Sequence, residues 1–431
     1  MPHIEAVTRS VDMKLIALLT ILAMRSHVVV GVPFHAAAQY INTTGEHAFK
    51  APGPNDQRGV CPGLNALANH RYLPHDGIVT MQQLVQACNT VFGMGLDLGE
   101  FLAAYGTTFD GNIIKLSIHG PSEGVKMPDS LPKGLTYSHN NYEGDGSPTR
   151  CDIDVCGNCY LLCPDRWSDL YNMSQPSLTM DDLTKLRHKR FHQSLNENPY
   201  FFVAPFSGAF VVPAAYTFIY RFMANHTSEH PEGLLGPEVL KSFFSVTEDA
   251  YGNFKYEYGH ERIPDNWYRR AFGDEYNIPY FLTDVVAAAE KYPEFLAIGG
   301  NTGKVNSFFG VNPKNMSGGV LNVKNLAEKN NFFCYFFSLM EATPNDIEFP
   351  QIQAIPPTTK RLSQFSSFAS RFDCPQLERF DPDAFQLYPG YLRDGFPDPG
   401  VVAKNMEKFN CSTRPLEDKP KDKKQNEGKY S

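Results

Sequence analysis

The sequence lacks any concentration of positive charge. Its 431 residues contain 39 Lys and Arg against 47 Asp and Glu, which gives a formal net charge of -8, and the basic residues are dispersed. Binding to a phosphate backbone requires a basic face, so this distribution argues against nucleic acid as a partner. A small molecule or another protein is the expected partner.

The chain also lacks a clear membrane span. The apolar run from Leu15 to Met24 is about half of the roughly 20 residues that a spanning helix needs. Lys14 precedes the run and small residues follow Arg25, a pattern typical of a signal peptide. We therefore predict a signal peptide over residues 1–31, with Met13 as an alternative start. The mature protein is then secreted and has no membrane contact.

Five N-x-S/T sequons agree with export and predict a glycoprotein. Their asparagines are Asn42, Asn172, Asn225, Asn315 and Asn410.

Residues 40–340 contain no internal repeat and no long low-complexity linker, which favours one continuous domain. Helical patterns dominate this stretch. Thr80 and Gln83 form a capping-box pattern, and four residues then recur on one helical face: Leu84, Ala87, Cys88 and Val91.

Three further helices are predicted from their end signals. Thr179 precedes a helix over residues 180–191 that acidic residues open and basic residues close, with Leu183, Leu186 and Leu195 as apolar positions. Pro237 opens a short helix through Phe244, and Thr283 caps residues 284–291 before Pro293. The predicted fold is mainly α, a single helical domain with long loops.

The domain is predicted to span residues 32–345. From about Thr343 the composition shifts to Pro, Asp, Ser and Phe without clear periodicity, which predicts an irregular C-terminal extension over residues 346–414. Residues 415–431 are a charged tail that we predict to be disordered.

The chain has nine cysteines, which in an exported protein predicts disulfides and one thiol left over. Four of them are clustered, at Cys151, Cys156, Cys159 and Cys163. Four close thiols are also a zinc or iron–sulfur pattern, so metal binding stands as an alternative to disulfides here.

Cys61 lies directly before Pro62 and a helix-compatible segment. Pro favours the first helical position because its missing N–H would be unpaired there. Backbone N–H groups and the positive end of the helix dipole then favour a thiolate at Cys61, which can ligate haem iron. A disulfide is the alternative for an isolated Cys-Pro pair. If Cys61 is the unpaired cysteine, the other eight are compatible with complete pairing.

The segment Cys61-Pro-Gly-Leu-Asn-Ala-Leu-Ala-Asn-His-Arg-Tyr-Leu-Pro-His-Asp-Gly77 closely resembles the proximal segment of the fungal haem-thiolate peroxidases and peroxygenases, the chloroperoxidase family. The family pattern is Pro-Cys-Pro, and Val60 replaces its first proline. The resemblance implies that Cys61 is the catalytic residue and the proximal ligand of haem b.

A second segment, Tyr142-Glu-Gly-Asp-Gly-Ser-Pro-Thr-Arg150, resembles the Glu-Gly-Asp-x-Ser-x-x-Arg motif of the longer peroxygenases. The resemblance implies a Mg²⁺ bound by the Glu143 carboxylate, the Gly144 carbonyl and the Ser147 hydroxyl, together with a haem propionate. Such oxygen ligands suit a hard cation. Tyr142 stands at the position of an aromatic residue that lines the family's haem and substrate cavity. An ordinary polar surface turn is the alternative.

Weaker matches follow at Asp182-Leu-x-x-Leu-Arg, Asn198-Pro-Tyr-Phe-Phe202 and Ile263-Pro-Asp-Asn-Trp-Tyr-Arg-Arg270, so the resemblance spans about residues 30–340. It implies a secreted haem-thiolate peroxidase domain that uses hydrogen peroxide to oxygenate or oxidise small organic substrates.

The sequence departs from the family at the distal acid–base pair. The longer peroxygenases carry an Arg after the Asn-Pro segment and a Glu seven residues later, whereas alignment on Asn198 places Phe206 and Pro213 at those positions. Neither side chain transfers a proton. A different gap would bring in Arg221 or Glu229.

Three functions are compatible with these patterns. The first is an active peroxidase or peroxygenase. The second is a divergent haem-thiolate enzyme of secondary metabolism with a narrow substrate range and weak general reactivity towards peroxide. The third is a non-catalytic secreted haem or interaction protein.

Overall fold

The computed structural model describes residues 32–127, 131–312 and 385–391 and the single positions 314, 320, 325 and 331. The predicted signal peptide, the sequons at Asn315 and Asn410 and the charged tail lie outside these residues. Among the described residues, no helix is both long and apolar enough to cross a membrane.

The described part of the chain is helix-dominated, which confirms the predicted fold class. Its α-helices are α1 Ala36–Gln39, α2 Pro62–Asn69, α3 Met81–Phe92, α4 Leu96–Phe109, α5 Ile153–Cys156, α6 Pro164–Met173, α7 Met180–Glu197, α8 Val212–Met223, α9 Pro237–Phe243 and α10 Ile278–Lys291. Short 3₁₀ turns cover Gly45–His47, Glu123–Val125 and Pro293–Leu296, and a π turn over Ser207–Val211 leads into α8.

The strands are short and pair in three small antiparallel sheets. They are β1 Ile78–Thr80, β2 Lys115–Ser117, β3 Phe202–Val203, β4 Val246–Glu248, β5 Phe254–Tyr256, β6 Gly299–Gly300 and β7 Phe309–Gly310. β1 pairs with β2, β4 pairs with β5, and β6 lies between β3 and β7.

The end signals in the sequence explain where most helices begin. Thr80 forms the predicted capping box with Gln83, and a second box joins Thr179 to Asp182. The four predicted apolar positions of α3 and the three of α7 are buried. However, α7 runs six residues past Phe191 to Glu197, so basic residues do not form its last turn as predicted.

The prediction that Thr283 caps a helix is wrong. Asn277 caps α10 instead, since its side chain accepts a hydrogen bond from the Tyr280 N–H and Pro279 lies in the first turn. Thr283 lies inside the helix, where its hydroxyl donates to the Pro279 carbonyl. The helix ends at Lys291, before Pro293, as expected.

One large apolar core holds the helices together. Phe92 of α3 contacts Phe222 of α8, Phe243 of α9 and Trp267, with ring centroids 5.9, 6.2 and 6.2 Å away. All four rings are at most 5% exposed. The start of α2 and the loop before α5 carry the candidate site, and Cys61 of the first segment lies near Arg150 of the second.

Part of the predicted C-terminal extension packs on this domain. Phe385 and Tyr388 are each 1% exposed and lie against Phe202, with ring centroids 5.8 and 5.1 Å away. The Asn140 side chain also donates to the Gly390 carbonyl at 2.8 Å. The exact domain bounds stay a prediction.

Candidate active site

Cys61 lies at the N-cap of α2, and Pro62 is the first helical residue, as predicted. The loop before it is clamped by Asn65, whose side chain accepts from the Gly59 N–H at 2.9 Å and donates to the Gly59 carbonyl at 3.0 Å. Glycine is required there, because a Cβ at Gly59 would lie 2.1 Å from the Ile118 carbonyl oxygen. These contacts fix the entry of the chain into α2 and thereby the position of the Cys61 sulfur.

The Cys61 thiol is free and partly buried. Burial raises its pKa, while the N–H groups of Gly63 and Leu64 and the positive charge of Arg150 lower it to a smaller extent. Neither N–H makes a regular capping hydrogen bond to the sulfur. Burial therefore has a larger effect on the pKa of this thiol than the helix N–H groups and Arg150 together.

A buried ion pair lies near the sulfur. Arg150 and Glu261 are 1% and 0% exposed, their closest nitrogen and oxygen are 3.5 Å apart, and Arg150 also donates to the Tyr256 hydroxyl at 3.2 Å. Both charges act on the Cys61 pKa. Arg150 was recognised as the last residue of the second motif, whereas no sequence signal singled out Glu261.

The turn over residues 143–147 is largely buried and lies against α8. The Tyr216 hydroxyl donates to the Gly146 carbonyl at 2.6 Å, and a Cβ at Gly144 would lie 3.2 Å from the Ser207 hydroxyl oxygen. The Ser147 hydroxyl accepts from the Arg150 N–H at 3.1 Å. The alternative of an ordinary surface turn is thus wrong, although the role of these residues stays a prediction.

The Glu143 carboxylate contacts a histidine that the sequence analysis did not single out. His139 Nδ1 lies 2.6 Å from Glu143 Oε2, and His139 Nε2 lies 3.8 Å from Asp145 Oδ1. Burial lowers the pKa of His139, but the Asp145 and Glu143 carboxylates outweigh burial and raise it to about 10. Burial raises the pKa of Asp145 well above its usual value, and nearby Asp152 adds to this effect.

Tyr142 lies near both parts of the predicted site, Cys61 and the 143–147 turn. Burial raises the pKa of its hydroxyl, and the nearby charge of Cys61 raises it further, so the fold brings these two residues into one neighbourhood. The Tyr142 ring lies 5.9 Å from that of Tyr105 and 5.5 Å from that of Phe206, and its hydroxyl donates to the Leu102 carbonyl.

The residues aligned with the distal pair are packed in the core. Phe206 is fully buried and stacks on Tyr105 at 3.6 Å, and Pro213 is a buried residue of the first turn of α8. Arg221 is held in a two-pronged ion pair with Asp284, at 2.7 and 2.9 Å. Glu229 is exposed in the loop between α8 and α9. None of the four is therefore positioned as a buried proton carrier.

A small cavity borders the 143–147 turn, and the positively charged side chain of Arg187 is one of the groups that line it. It is lined by Asp145, Gly146, Arg187, Phe201, Val212 and Phe295, among others. Arg187 is 6% exposed, its guanidinium lies 4.0 Å from the Phe295 ring centre, and burial lowers its pKa to about 10. Arg187 lies four positions after Leu183, on the buried face of α7. This spacing was the sequence signal that could have identified Arg187 as a buried residue.

The cysteine cluster contains a disulfide between Cys151 and Cys163. The two bonded sulfurs are not free to act as thiolate ligands, which argues against the zinc and iron–sulfur alternatives. Cys159 is a free buried thiol that donates to the Thr136 carbonyl at 3.3 Å, and Cys88 is free as well. Complete pairing of the eight cysteines other than Cys61 is therefore not observed, since Cys88 and Cys159 are free thiols.

Together, the helical fold, the free cysteine at a helix start and the buried acidic turn agree with the oxidative-enzyme family that the sequence resembles. Residues 47–272 match the family model described as Peroxidase, family 2. The chain belongs to this peroxidase family, the chloroperoxidase family.

Three relatives show the extent of the similarity. The chain is 39% identical over 375 residues to the dothistromin biosynthesis peroxidase dotB of Dothistroma septosporum, which covers 84% of this chain and 89% of the relative. It is 37% identical over 381 residues to the aromatic peroxidase fscJ of Fusarium equiseti, covering 83% and 86%. It is 28% identical over 283 residues to the aromatic peroxygenase of Cyclocybe aegerita, covering 64% and 69%.

The family and these relatives identify the protein as a peroxide-using oxidoreductase, an enzyme of the peroxidase and peroxygenase type that acts on organic substrates. They argue against the alternative of a non-catalytic protein.

Proposed function

We propose that this enzyme is a secreted haem-thiolate oxidoreductase in which Cys61 holds the iron of haem b, with hydrogen peroxide as oxidant and a small organic molecule as substrate. The observation that carries the proposal is the free Cys61 thiol at the first turn of α2, with the Gly63 and Leu64 N–H groups close to its sulfur. When bound by such a thiolate, haem iron would cleave the peroxide O–O bond, and electron donation from the sulfur would assist this cleavage.

The chain's own residues support this chemistry by holding the sulfur and excluding water. Asn65 and Gly59 fix the loop before Cys61, and the N–H groups of α2 stabilise negative charge on the sulfur. An aromatic cluster of Tyr142, Tyr105 and Phe206 packs near Cys61 and helps to exclude water from the sulfur.

In this proposal, Glu143, the Gly144 carbonyl and Ser147 hold a Mg²⁺ ion. They form an oxygen-only ligand set in a buried turn, which suits a hard cation. Asp145 Oδ1 in this turn and Ser207 Oγ beside Gly144 are buried without a hydrogen-bond partner, a deficit that an ion with its bound waters would relieve. The ion would take the place of His139 on one oxygen of Glu143.

Three observations support secretion. The N-terminal residues have the pattern of a signal peptide. The sequon asparagines Asn42 and Asn172 are exposed. The Cys151–Cys163 disulfide suits an oxidising compartment.

A specific observation favours a narrow-substrate variant of this function. The core positions of Phe206 and Pro213 leave no proton carrier at the expected distal positions, which limits general reactivity towards peroxide. The name of the relative dotB assigns it to dothistromin biosynthesis, a role in secondary metabolism. We extend that type of role, with one preferred aromatic substrate, to this chain.

Product analysis of the haem-loaded enzyme tests the proposal. A panel of aromatic substrates is incubated with and without hydrogen peroxide, and the expected result is an oxidised product that forms only with peroxide. Conversion of one substrate type without oxidation of general peroxidase dyes would select the narrow-substrate variant. Haem binding without any peroxide-dependent product would contradict both.

A further inference from the structure

His188, His192 and Glu294 form a cluster away from the proposed haem site. The two histidines are four positions apart on α7, so they lie on the same helical face. Glu294 belongs to the 3₁₀ turn Pro293–Leu296, just after α10. One ligand atom from each of the three side chains lies within 4.8 Å of the other two.

The side chains are already oriented towards one another. His188 Nδ1 lies 2.7 Å from Glu294 Oε1, and His192 Nε2 lies 3.6 Å from the same oxygen. The His188 ring is fixed by stacking on Tyr292 at 4.1 Å with an interplanar angle of 17°. This support reduces the conformational entropy that the histidine would lose on binding a ligand.

The cluster is reachable from solvent, and the two nearby lysines pair with Asp181 and not with Glu294. The histidine side chains are each 36% exposed, and that of Glu294 is 9% exposed. The nearby Lys185 and Lys291 ammonium groups are both paired with Asp181. An ion can therefore enter without displacing a salt bridge of Glu294 to lysine.

We propose that His188, His192 and Glu294 bind a divalent first-row transition-metal ion such as Zn²⁺. Two imidazoles and one carboxylate form a ligand set that zinc uses, with a water in the fourth position. Imidazole nitrogen suits zinc, copper and nickel better than magnesium or calcium, so this site differs in chemistry from the turn at Glu143.

The observed distances fit such an ion after a small adjustment. Zinc bonds of about 2.0–2.2 Å in tetrahedral geometry place two ligand atoms roughly 3.3 Å apart. The two nitrogen–oxygen distances, 2.7 and 3.6 Å, lie on either side of this value. The ion would take the place of the contact between His188 and Glu294, so the His188 nitrogen must move away from the Glu294 oxygen by about 0.6 Å to reach this spacing.

The bound ion ties α7 to the turn after α10. The turn also carries Phe295, whose ring covers the Arg187 guanidinium at the cavity. Metal binding would therefore stabilise the position of Phe295 in one wall of that cavity. The three ligands do not include Cys61 or any residue of the 143–147 turn.

The test is a zinc titration of the full-length, haem-loaded protein after dialysis against a chelator, with Mg²⁺ in excess. We expect one zinc equivalent in the wild type, and binding at least tenfold weaker in His192→Gln and in Glu294→Gln. His230→Ala is the matched control, since His230 lies beside a single carboxylate, 3.3 Å from Glu232. This control is expected to bind zinc as the wild type does.

A second readout separates binding from a structural defect. Zinc raises the melting temperature of any protein that binds it only in the folded state, so Tm should rise in the wild type and in His230→Ala but not in His192→Gln. Equal zinc affinity in wild type and both site variants would overturn the proposal. Failure of the wild type to retain zinc would overturn it as well.

Discussion

Cys61 and Cys163 have the same local structure, because each is the N-cap of a helix whose first residue is proline. Their chemistry differs because their neighbours differ. Cys163 has Cys151 as a bonding partner, whereas Cys61 is free and lies near the buried pair of Arg150 and Glu261. At the residue scale the neighbours of the sulfur therefore decide between a disulfide and a free thiol.

The role of Glu143 can be tested by removing its charge. Glu143→Gln should lower both magnesium retention and haem occupancy, because Glu143 supplies the only formal charge among the three proposed ligands. Metal analysis and the haem-to-protein absorbance ratio measure these quantities. Glu100→Gln, at an exposed position of α4, is the control and should match the wild type. Equal metal and haem contents in wild type and Glu143→Gln would refute the assignment.

The core positions of Phe206 and Pro213, which cannot transfer a proton, predict slow activation of peroxide. A positioned base contributes typically about 10²–10⁴-fold, so loss of the resting haem spectrum on mixing with hydrogen peroxide should be slower by about that factor than in a peroxygenase that carries both groups. Stopped-flow absorption measures this rate. Glu229→Gln should not change it, since Glu229 is exposed. A rate equal to that of such a peroxygenase would show that another residue moves the proton.

At the scale of single elements, helix starts follow from local side-chain chemistry when the cap lies directly before the apolar pattern. Thr80 and Thr179 could be recognised for this reason. The start of α10 could not, because Thr283 imitates a cap while the true cap, Asn277, lies six residues earlier. The π turn Ser207–Val211 has no comparable end signal, and it places Phe206 in the core.

The capping box of α3 should contribute measurably to stability. Thr80→Ala removes the acceptor of the Gln83 N–H bond and should lower the free energy of unfolding by about 1 kcal/mol. Thr80→Ser keeps a hydroxyl and should lose much less. Chemical unfolding followed by circular dichroism measures both. Equal losses in the two variants would mean that the hydroxyl does not stabilise the helix.

At the scale of the whole molecule, the site depends on contacts between distant parts of the chain. Cys61 and the 143–147 turn could be found in the sequence because each lies in a short, specific motif. Glu261 joins them through its pairing with Arg150, which lies 111 positions earlier, and this contact has no local sequence pattern. His139 lies only four positions before Glu143, but it belongs to neither motif. The docking of Phe385 and Tyr388 on Phe202 was likewise not predictable, since the aromatic residues of that segment have no clear periodicity.

The whole account depends on Cys61 as the haem ligand, and the absorption spectrum of the reduced, carbon monoxide-bound holoprotein tests this most directly. The wild type and Cys88→Ala, which removes a second free buried thiol near Cys61, should both show the signature of a thiolate ligand. Cys61→Ala and Cys61→His should lose it. A spectrum unchanged by substitution of Cys61 would contradict the account.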